Sequence, residues 1–159
     1  MAFSLIRWLG LAGFAASLWA APALARNGAL EVDVELVLAV DISYSMDATE
    51  QRLQRQGYIE ALRSEQFLHA LKSGNTGRIA LVYVQWASEF DQDVLVPWSV
   101  IDGPETASAF ADQLVNAPYR RAQRTSISGA IDAAMKLFDG NSFSSPRQVI
   151  DVSGDGPNN

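Results

Sequence analysis

The sequence predicts an α/β domain built on a doubly wound, mostly parallel sheet. Three observations lead to this fold class. Apolar strands alternate along the chain with segments whose apolar residues recur at the helical period of about 3.6 residues. The composition, 48% hydrophobic and 19% charged residues, supports a packed core. The length of 159 residues suits one domain and is too short for two well-packed ones.

Four strands are predicted. Residues 32–41 alternate at first and are then apolar on both faces, which is typical of a strand buried in a parallel sheet. Residues 78–86 and 94–98 form the second and third strands, and residues 148–153 form the fourth. Because the link between the second and third strands is shorter than the dozen or so residues of a parallel crossover, the third strand should pair antiparallel at an edge.

Helical segments connect these strands. Asp47 and Glu50 resemble a capping box that opens a long helical stretch. Pro104 opens the next helix, and residues 127–138 form another with the same apolar period. Right-handed crossovers then place the second and fourth strands on opposite sides of the first, which gives the strand order 3-2-1-4 with the third strand antiparallel at the edge.

In this arrangement the fourth strand is a bare apolar edge. Either the sequence is a fragment, or the protein tolerates an edge that favours aggregation. We favour a fragment, and expect the domain, residues 26–159, to be incomplete at its C-terminus.

Residues 1–25 have the pattern of a secretory signal peptide. Arg7 precedes an apolar run, and Ala23-Leu24-Ala25 forms a small-x-small cleavage site. The alternative is a retained membrane anchor, but the uninterrupted run is short for a span of about 20 residues. We therefore predict a periplasmic or extracellular protein that has no stable membrane span after signal cleavage.

Charge and composition exclude several classes of function. Twelve Lys and Arg against eighteen Asp and Glu give a net charge of −6, which argues against binding to a nucleic-acid backbone. The absence of cysteine excludes disulfides, thiolate metal sites and cysteine nucleophiles. A single histidine, His69, leaves little room for a histidine metal cluster.

The segment Asp41-Ile42-Ser43-Tyr44-Ser45 carries the most chemical information. It follows the first strand, at the carboxyl edge where open α/β sheets bind their ligands. Asp155 follows the fourth strand, the predicted neighbour of the first. Two carboxylates and two hydroxyls should therefore converge, and hard oxygen ligands of this kind suit Mg²⁺, Mn²⁺ or Ca²⁺.

These residues resemble the metal site of a von Willebrand factor A (vWA) domain. The matching residues are Asp41-x-Ser43-x-Ser45-Met46, Thr125 before a helix, and Asp155-Gly156 after a later strand. More closely, the chain resembles secreted bacterial proteins of unknown function that carry this domain. The resemblance covers residues 32–159, which correspond to only the first part of a full domain.

The resemblance implies a metal-ion-dependent adhesion site (MIDAS). Ser43, Ser45 and Thr125 would ligate the ion directly through their hydroxyls. Asp41 and Asp155 would act largely through bound waters. An Asp or Glu carboxylate from an unidentified partner protein would then fill the remaining coordination position. The resemblance thus implies a protein-binding module that is not an enzyme.

Other functions stay open from the sequence. An Mg²⁺-dependent phosphatase or phosphotransferase also places an Asp after the first strand, but usually carries a second Asp two residues later, where Ser43 stands. Serine hydrolysis is disfavoured because the sequence has no Gly-x-Ser-x-Gly elbow. A third possibility is a degenerate structural domain without metal.

The segment before Thr125 has more than one interpretation. Arg124 stands where vWA domains often have glycine, and either Thr125 or Ser126 could cap the following helix. Arg120, Arg121 and Arg124 form a basic run of the kind found in solvated loops. Our hypothesis is that these arginines rim the site and steer an acidic partner toward the metal.

Overall fold

A computed structural model describes residues 28–154. The predicted signal peptide, residues 1–25, and the candidate ligand Asp155 lie outside the described residues. The elements are β1 (Leu30–Glu31), β2 (Val34–Asp41), α1 (Ala48–Arg63), α2 (Glu65–Lys72), β3 (Ile79–Trp86), β4 (Gln92–Ile101), α3 (Pro104–Asn116), α4 (Ile127–Leu137), β5 (Phe143–Ser144) and β6 (Gln148–Ser153). Among the described helices, none has both the length and the apolar character needed to cross a membrane.

The central sheet has the strand order β4-β3-β2-β6. Strand β2 pairs in parallel with β3 and with β6, whereas β4 pairs antiparallel with β3. The first to fourth strands of the sequence prediction correspond, in that order, to β2, β3, β4 and β6. The predicted doubly wound, mostly parallel sheet with the order 3-2-1-4 is therefore confirmed. The chain between Trp86 and Gln92 is too short for a parallel crossover, and this fixes the direction of β4.

Helices cover both faces of the sheet. On one face, α1 and α3 pack over Leu38 and Val40, with Phe110 of α3 fully buried. Burial of such a side chain contributes about 1.5–3 kcal/mol. On the other face, α4 packs through Ala130 and Ala134. This two-sided burial explains why the central strands are apolar at consecutive positions.

The start of α1 follows the sequence prediction closely. Asp47 is the N-cap, and its Oδ1 accepts hydrogen bonds from the backbone N of Glu50 at 2.9 Å and of Thr49 at 2.6 Å. The Glu50 carboxylate in turn accepts from the Asp47 backbone N at 2.7 Å, which completes the capping box. These backbone donors, that of Glu50 first, lower the pKa of Asp47. Helix α1 therefore begins at a fixed point, with its N-cap Asp47 two residues after Ser45.

Two features differ from the sequence prediction. The single long helical stretch is in fact two helices, because Ser64 has extended backbone (φ −74°, ψ 146°) and accepts a hydrogen bond from the Phe67 N to cap α2. In addition, β1 and β5 form a separate two-stranded parallel sheet that was not predicted. Its strands have two residues each, too few for a periodic pattern to be visible in the sequence.

Candidate functional site

Three loops meet at the carboxyl end of the sheet. They are residues 41–47 after β2, residues 87–91 between β3 and β4, and residues 117–126 between α3 and α4. The third loop is hydrogen-bonded to both others. The Ala122 N donates to the Ile42 O at 2.9 Å, and the Ser126 N donates to the Ala87 O at 2.7 Å. The 117–126 loop thus lies across the ends of the two central strands.

The first loop brings together three of the predicted site residues. Asp41 ends β2 and its side chain is fully buried, with 0% of the residue exposed. Its Oδ1 accepts a hydrogen bond from the backbone N of Ser43 at 2.7 Å. The Oγ atoms of Ser43 and Ser45 are 2.6 Å apart and share a hydrogen bond. Oxygen atoms from all three residues therefore line one turn, as the Asp-x-Ser-x-Ser spacing predicts.

Thr125 lies on the third loop and is buried. Ser126, not Thr125, is the N-cap of α4, because its hydroxyl accepts a hydrogen bond from the Gly129 N at 3.2 Å. This decides between the two capping residues that the sequence allowed. The same loop forms a parallel backbone bridge from Ala122 to Ser43. Thr125 therefore stands three residues after Ala122, whose backbone is bonded to the Asp41–Ser45 turn.

The backbone of Arg124 is left-handed, with φ 69°. A residue with a Cβ costs about 1 kcal/mol more than glycine in this conformation. The glycine that vWA domains often carry before this threonine would meet the same backbone requirement without strain. Arginine at this position therefore carries a backbone cost that glycine would not.

Replacing Arg124 with glycine should raise the free energy of unfolding by about 0.5–1 kcal/mol, because the strain of the left-handed conformation is relieved. Urea unfolding followed by circular dichroism measures this change. Arg124→Ala is the matched control, since it also removes the guanidinium but keeps the Cβ. Equal gains from the two variants would show that the charge of Arg124, rather than its backbone, sets the effect.

The chain that leads to Asp155 approaches Asp41 closely. Strand β6 pairs with β2 up to the Val40–Ser153 register. A Cβ placed on Gly154 would lie 3.1 Å from the Asp41 Oδ2 and 3.3 Å from the Trp86 Cζ2. An alanine here would require the Asp41 carboxylate or the Trp86 ring to move by a few tenths of an ångström. Asp155 itself is outside the described residues, so its place in the site stays a prediction.

Two arginines of the third loop, Arg120 and Arg121, make contacts at the rim of the site. Arg120 forms an ion pair with Asp91 at 2.8 Å. Arg121 donates to the Tyr44 O at 2.8 Å, and its guanidinium lies 5.0 Å from the centre of the exposed Tyr44 ring. Exposed pairs of this kind contribute about 0–1 kcal/mol each. These weak contacts place both guanidinium groups beside the site, and steering of an acidic partner stays a prediction.

Sequence reasoning missed two buried polar residues below the site. Gln51 and Arg55 of α1 are 6% and 2% exposed. They line a polar cavity of about 10 Å³ that also touches Asp41, which is room for a single water molecule. A signal for them existed, because Gln51 and Arg55 stand at helical spacing with Ile59 on the buried face of α1.

The described structure is similar to several solved structures. The vWF domain of the type V pili tip protein Mfa5 from Porphyromonas gingivalis is 15% identical, with 77% of this chain and 37% of that chain covered, at a TM-score of 0.48. Three N-terminal domains of the same pilus protein give 16% identity, 75% and 19% coverage and a TM-score of 0.47. The conserved hypothetical protein BatB from Bacteroides thetaiotaomicron gives 18% identity, 74% and 52% coverage and a TM-score of 0.43.

The chain thus spans between about a fifth and about half of the length of these proteins. The first of these structures is of a vWF domain, the type of domain that the motifs of this sequence resemble. A comparison with curated proteins gave no match. A family model described as "Protein of unknown function (DUF1194)" matches residues 31–159, most of the chain. The chain therefore belongs to the family described as Protein of unknown function (DUF1194).

Proposed function

We propose that this protein is a metal-dependent protein-binding module. Asp41, Ser43, Ser45, Thr125 and Asp155 would hold Mg²⁺, or Mn²⁺ or Ca²⁺ in its place, and the bound ion would capture an Asp or Glu carboxylate of a partner protein. One observation carries the proposal. The hydroxyls of Ser43 and Ser45 lie side by side in a turn that a fully buried carboxylate orients, at the carboxyl end of the central strand.

The spacing of the donor atoms fits an octahedral ion. Two neighbouring ligands of Mg²⁺ at 2.0–2.1 Å stand about 2.9 Å apart. The Oγ atoms of Ser43 and Ser45 are 2.6 Å apart, so a small rotation about χ1 of either side chain would bring them to that separation. The same rotation would replace their mutual hydrogen bond by two bonds to the ion. The donor set is all oxygen, which Mg²⁺, Mn²⁺ and Ca²⁺ prefer.

The chemistry of the donor set favours binding over catalysis. A bound ion would act here as a Lewis acid that keeps exchangeable waters. Neutral hydroxyls neutralise little of its charge, so an incoming carboxylate would still be attracted. The chain's own contribution is to hold Ser43 through Asp41 and to keep that carboxylate away from bulk water. Since Asp41 is fully buried and engaged with the Ser43 N, it is poorly placed as a nucleophile for phosphoryl transfer.

We also propose an exported location. The support is the pattern of residues 1–25, with its apolar run and its small-x-small site. A periplasmic or extracellular compartment would supply divalent ions to the site. The net charge of −6 disfavours nucleic acid as a partner.

Titration of the full chain with Mn²⁺ and with Mg²⁺ in a calorimeter tests the metal site. We expect saturable binding at one site, which EDTA abolishes. A phosphatase assay on p-nitrophenyl phosphate with either ion should give no turnover. No heat with either ion would favour a structural domain without metal, and turnover would favour the phosphatase alternative.

Capture of partners from periplasmic extract tests the second half of the proposal. The immobilised protein should retain a partner in buffer with Mg²⁺ and release it on addition of EDTA, because the carboxylate contact needs the ion. Blocking the carboxylates of the captured partner by amidation should abolish rebinding. Capture that is equally strong in EDTA would contradict a metal-bridged contact.

A further inference from the structure

Arg55 is a cation buried where α3 ends. Only 2% of the residue is exposed. One guanidinium nitrogen donates to the Ala117 O at 2.7 Å and to the Leu114 O at 3.4 Å, and the other donates to the Pro118 O at 3.1 Å. The ring of Tyr119 lies 3.8 Å from the guanidinium carbon. These contacts hold the backbone at the point where the chain leaves α3 and enters the 117–126 loop.

The surroundings explain why the charge can be buried there. Burying a charged side chain costs several kcal/mol unless hydrogen bonds compensate for the lost water. The carbonyls at the C-terminus of a helix carry the negative end of its dipole and attract a cation. The last turn of α3 has no basic residue of its own, so Arg55 of α1 supplies that cation from a neighbouring helix. The guanidinium also opposes the rise in the pKa of Tyr83 that burial causes.

Helix α1 contacts all three segments that carry the proposed ligands. It begins directly after the turn of Asp41 and Ser45. Gln54 Nε2 and the Tyr58 hydroxyl donate to the Ser153 Oγ at 3.1 and 3.2 Å, two residues before Asp155. Arg55 holds the start of the loop on which Thr125 lies. One rigid helix is thus the common support for the three segments.

We propose that Arg55 is a positioning residue for the metal site. It ties the 117–126 loop to α1 and thereby sets where Thr125 stands relative to Ser43 and Ser45. The inference rests on the proposed metal binding, but it concerns a residue that would not touch the ion. Loss of the Arg55 contacts would free the start of the loop, so Thr125 would spend less time in the position that completes the coordination.

Calorimetry with Mn²⁺ on the full chain tests this role. Arg55→Met removes the charge and all the donors, whereas Arg55→Lys keeps the charge but cannot span the carbonyls. Both variants should bind Mn²⁺ about tenfold more weakly, the scale of loss when a residue that orients metal ligands is removed. Arg52→Met is the matched control, because Arg52 is an exposed arginine one turn earlier on the same helix. An unchanged affinity in both Arg55 variants would overturn the proposal.

A double-mutant cycle with Thr125→Ala distinguishes positioning from a general loss of stability. If Arg55 acts through Thr125, the loss caused by Arg55→Met should be much smaller when Thr125 is already alanine. Fully additive losses would overturn the proposed route. If the Arg55 variants fail to fold, Tyr119→Leu takes their place, because it removes the ring but none of the carbonyl contacts. It should weaken Mn²⁺ binding in the same direction but by less.

Hydrogen exchange of the metal-free protein gives a readout that does not depend on metal binding. Arg55→Met should raise the exchange rate of amides in residues 119–126 and leave those of β2 and β3 unchanged. If the wild-type chain binds no Mn²⁺, the proposed function fails, and this measurement still decides whether Arg55 holds the loop. A uniform increase over the whole sheet, or no change in the loop, would overturn the inference.

Discussion

Replacing Asp41 with alanine should weaken Mn²⁺ binding about 100-fold, measured by calorimetry on the full chain. Asp41 is fully buried at the end of β2, and its Oδ1 accepts from the Ser43 backbone N at 2.7 Å. The substitution removes a negative charge beside the proposed ion. It also removes the contact that orients Ser43, so both effects lower the affinity.

Asp41→Asn separates these two effects. The asparagine keeps an oxygen that can accept from the Ser43 N, but it carries no charge. We expect it to bind Mn²⁺ more tightly than Asp41→Ala and about tenfold or more weakly than the wild type. Wild-type affinity in Asp41→Asn would contradict a role for the charge, and with it the proposed coordination.

The wild type and Asp41→Asn should also differ in how much Mn²⁺ raises their melting temperatures. Adding Mn²⁺ should raise the melting temperature of the wild type by mass action and raise that of Asp41→Asn by less, because the variant binds Mn²⁺ more weakly. A wild-type melting temperature that is independent of millimolar Mn²⁺ would contradict the site.

The central sheet could be predicted because its signals are local and consistent. The runs in β2 and β3 are apolar at consecutive positions, which only a strand covered on both faces requires. The short link before β4 allowed only an antiparallel pairing, and the handedness of crossovers set the side on which β6 lies. Each of these rules is independent of the details of side-chain packing.

The break at Ser64 could not be predicted with the same rules. Apolar residues continue at helical spacing through this position, so periodicity alone favours one helix. The serine ends α1 only because its hydroxyl and extended backbone cap α2 better than they continue α1. The Ser64 hydroxyl accepts from the Phe67 N at 3.1 Å and donates to the Ala61 O at 2.7 Å, contacts that periodicity does not reveal.

The residues of the candidate site likewise include some that the sequence could predict and some that it could not. Asp41, Ser43 and Ser45 belong to one turn, so their sequence spacing already fixes their proximity. Arg55 escaped sequence reasoning because an arginine on an amphipathic helix is ordinarily solvated. Its burial depends on where α3, some 60 residues later, happens to end. A contact of this kind becomes visible only when the helices are placed.

A matched pair of glycine substitutions tests how tightly the 87–91 loop packs against α4. A Cβ on Gly129 of α4 would lie 2.8 Å from the Glu89 Cα, closer than two such atoms can approach. A Cβ on Gly57 of α1 would meet nothing within 4 Å. Both are helical positions, so intrinsic preference alone predicts that alanine stabilises each by about 1 kcal/mol.

We expect Gly57→Ala to show that gain of about 1 kcal/mol, whereas Gly129→Ala should lower the free energy of unfolding by about 1–2 kcal/mol because overpacking outweighs helix propensity. Urea unfolding of the two variants gives the difference. The Cβ would press the 87–91 loop away from α4 and strain the bond from the Ser126 N to the Ala87 O, 2.7 Å long. Since Thr125 precedes Ser126, Gly129→Ala should also weaken Mn²⁺ binding, and Gly57→Ala should not. Stabilisation by both alanines would mean that the 87–91 loop moves away from α4 at little cost, and that this contact does not help to position Thr125.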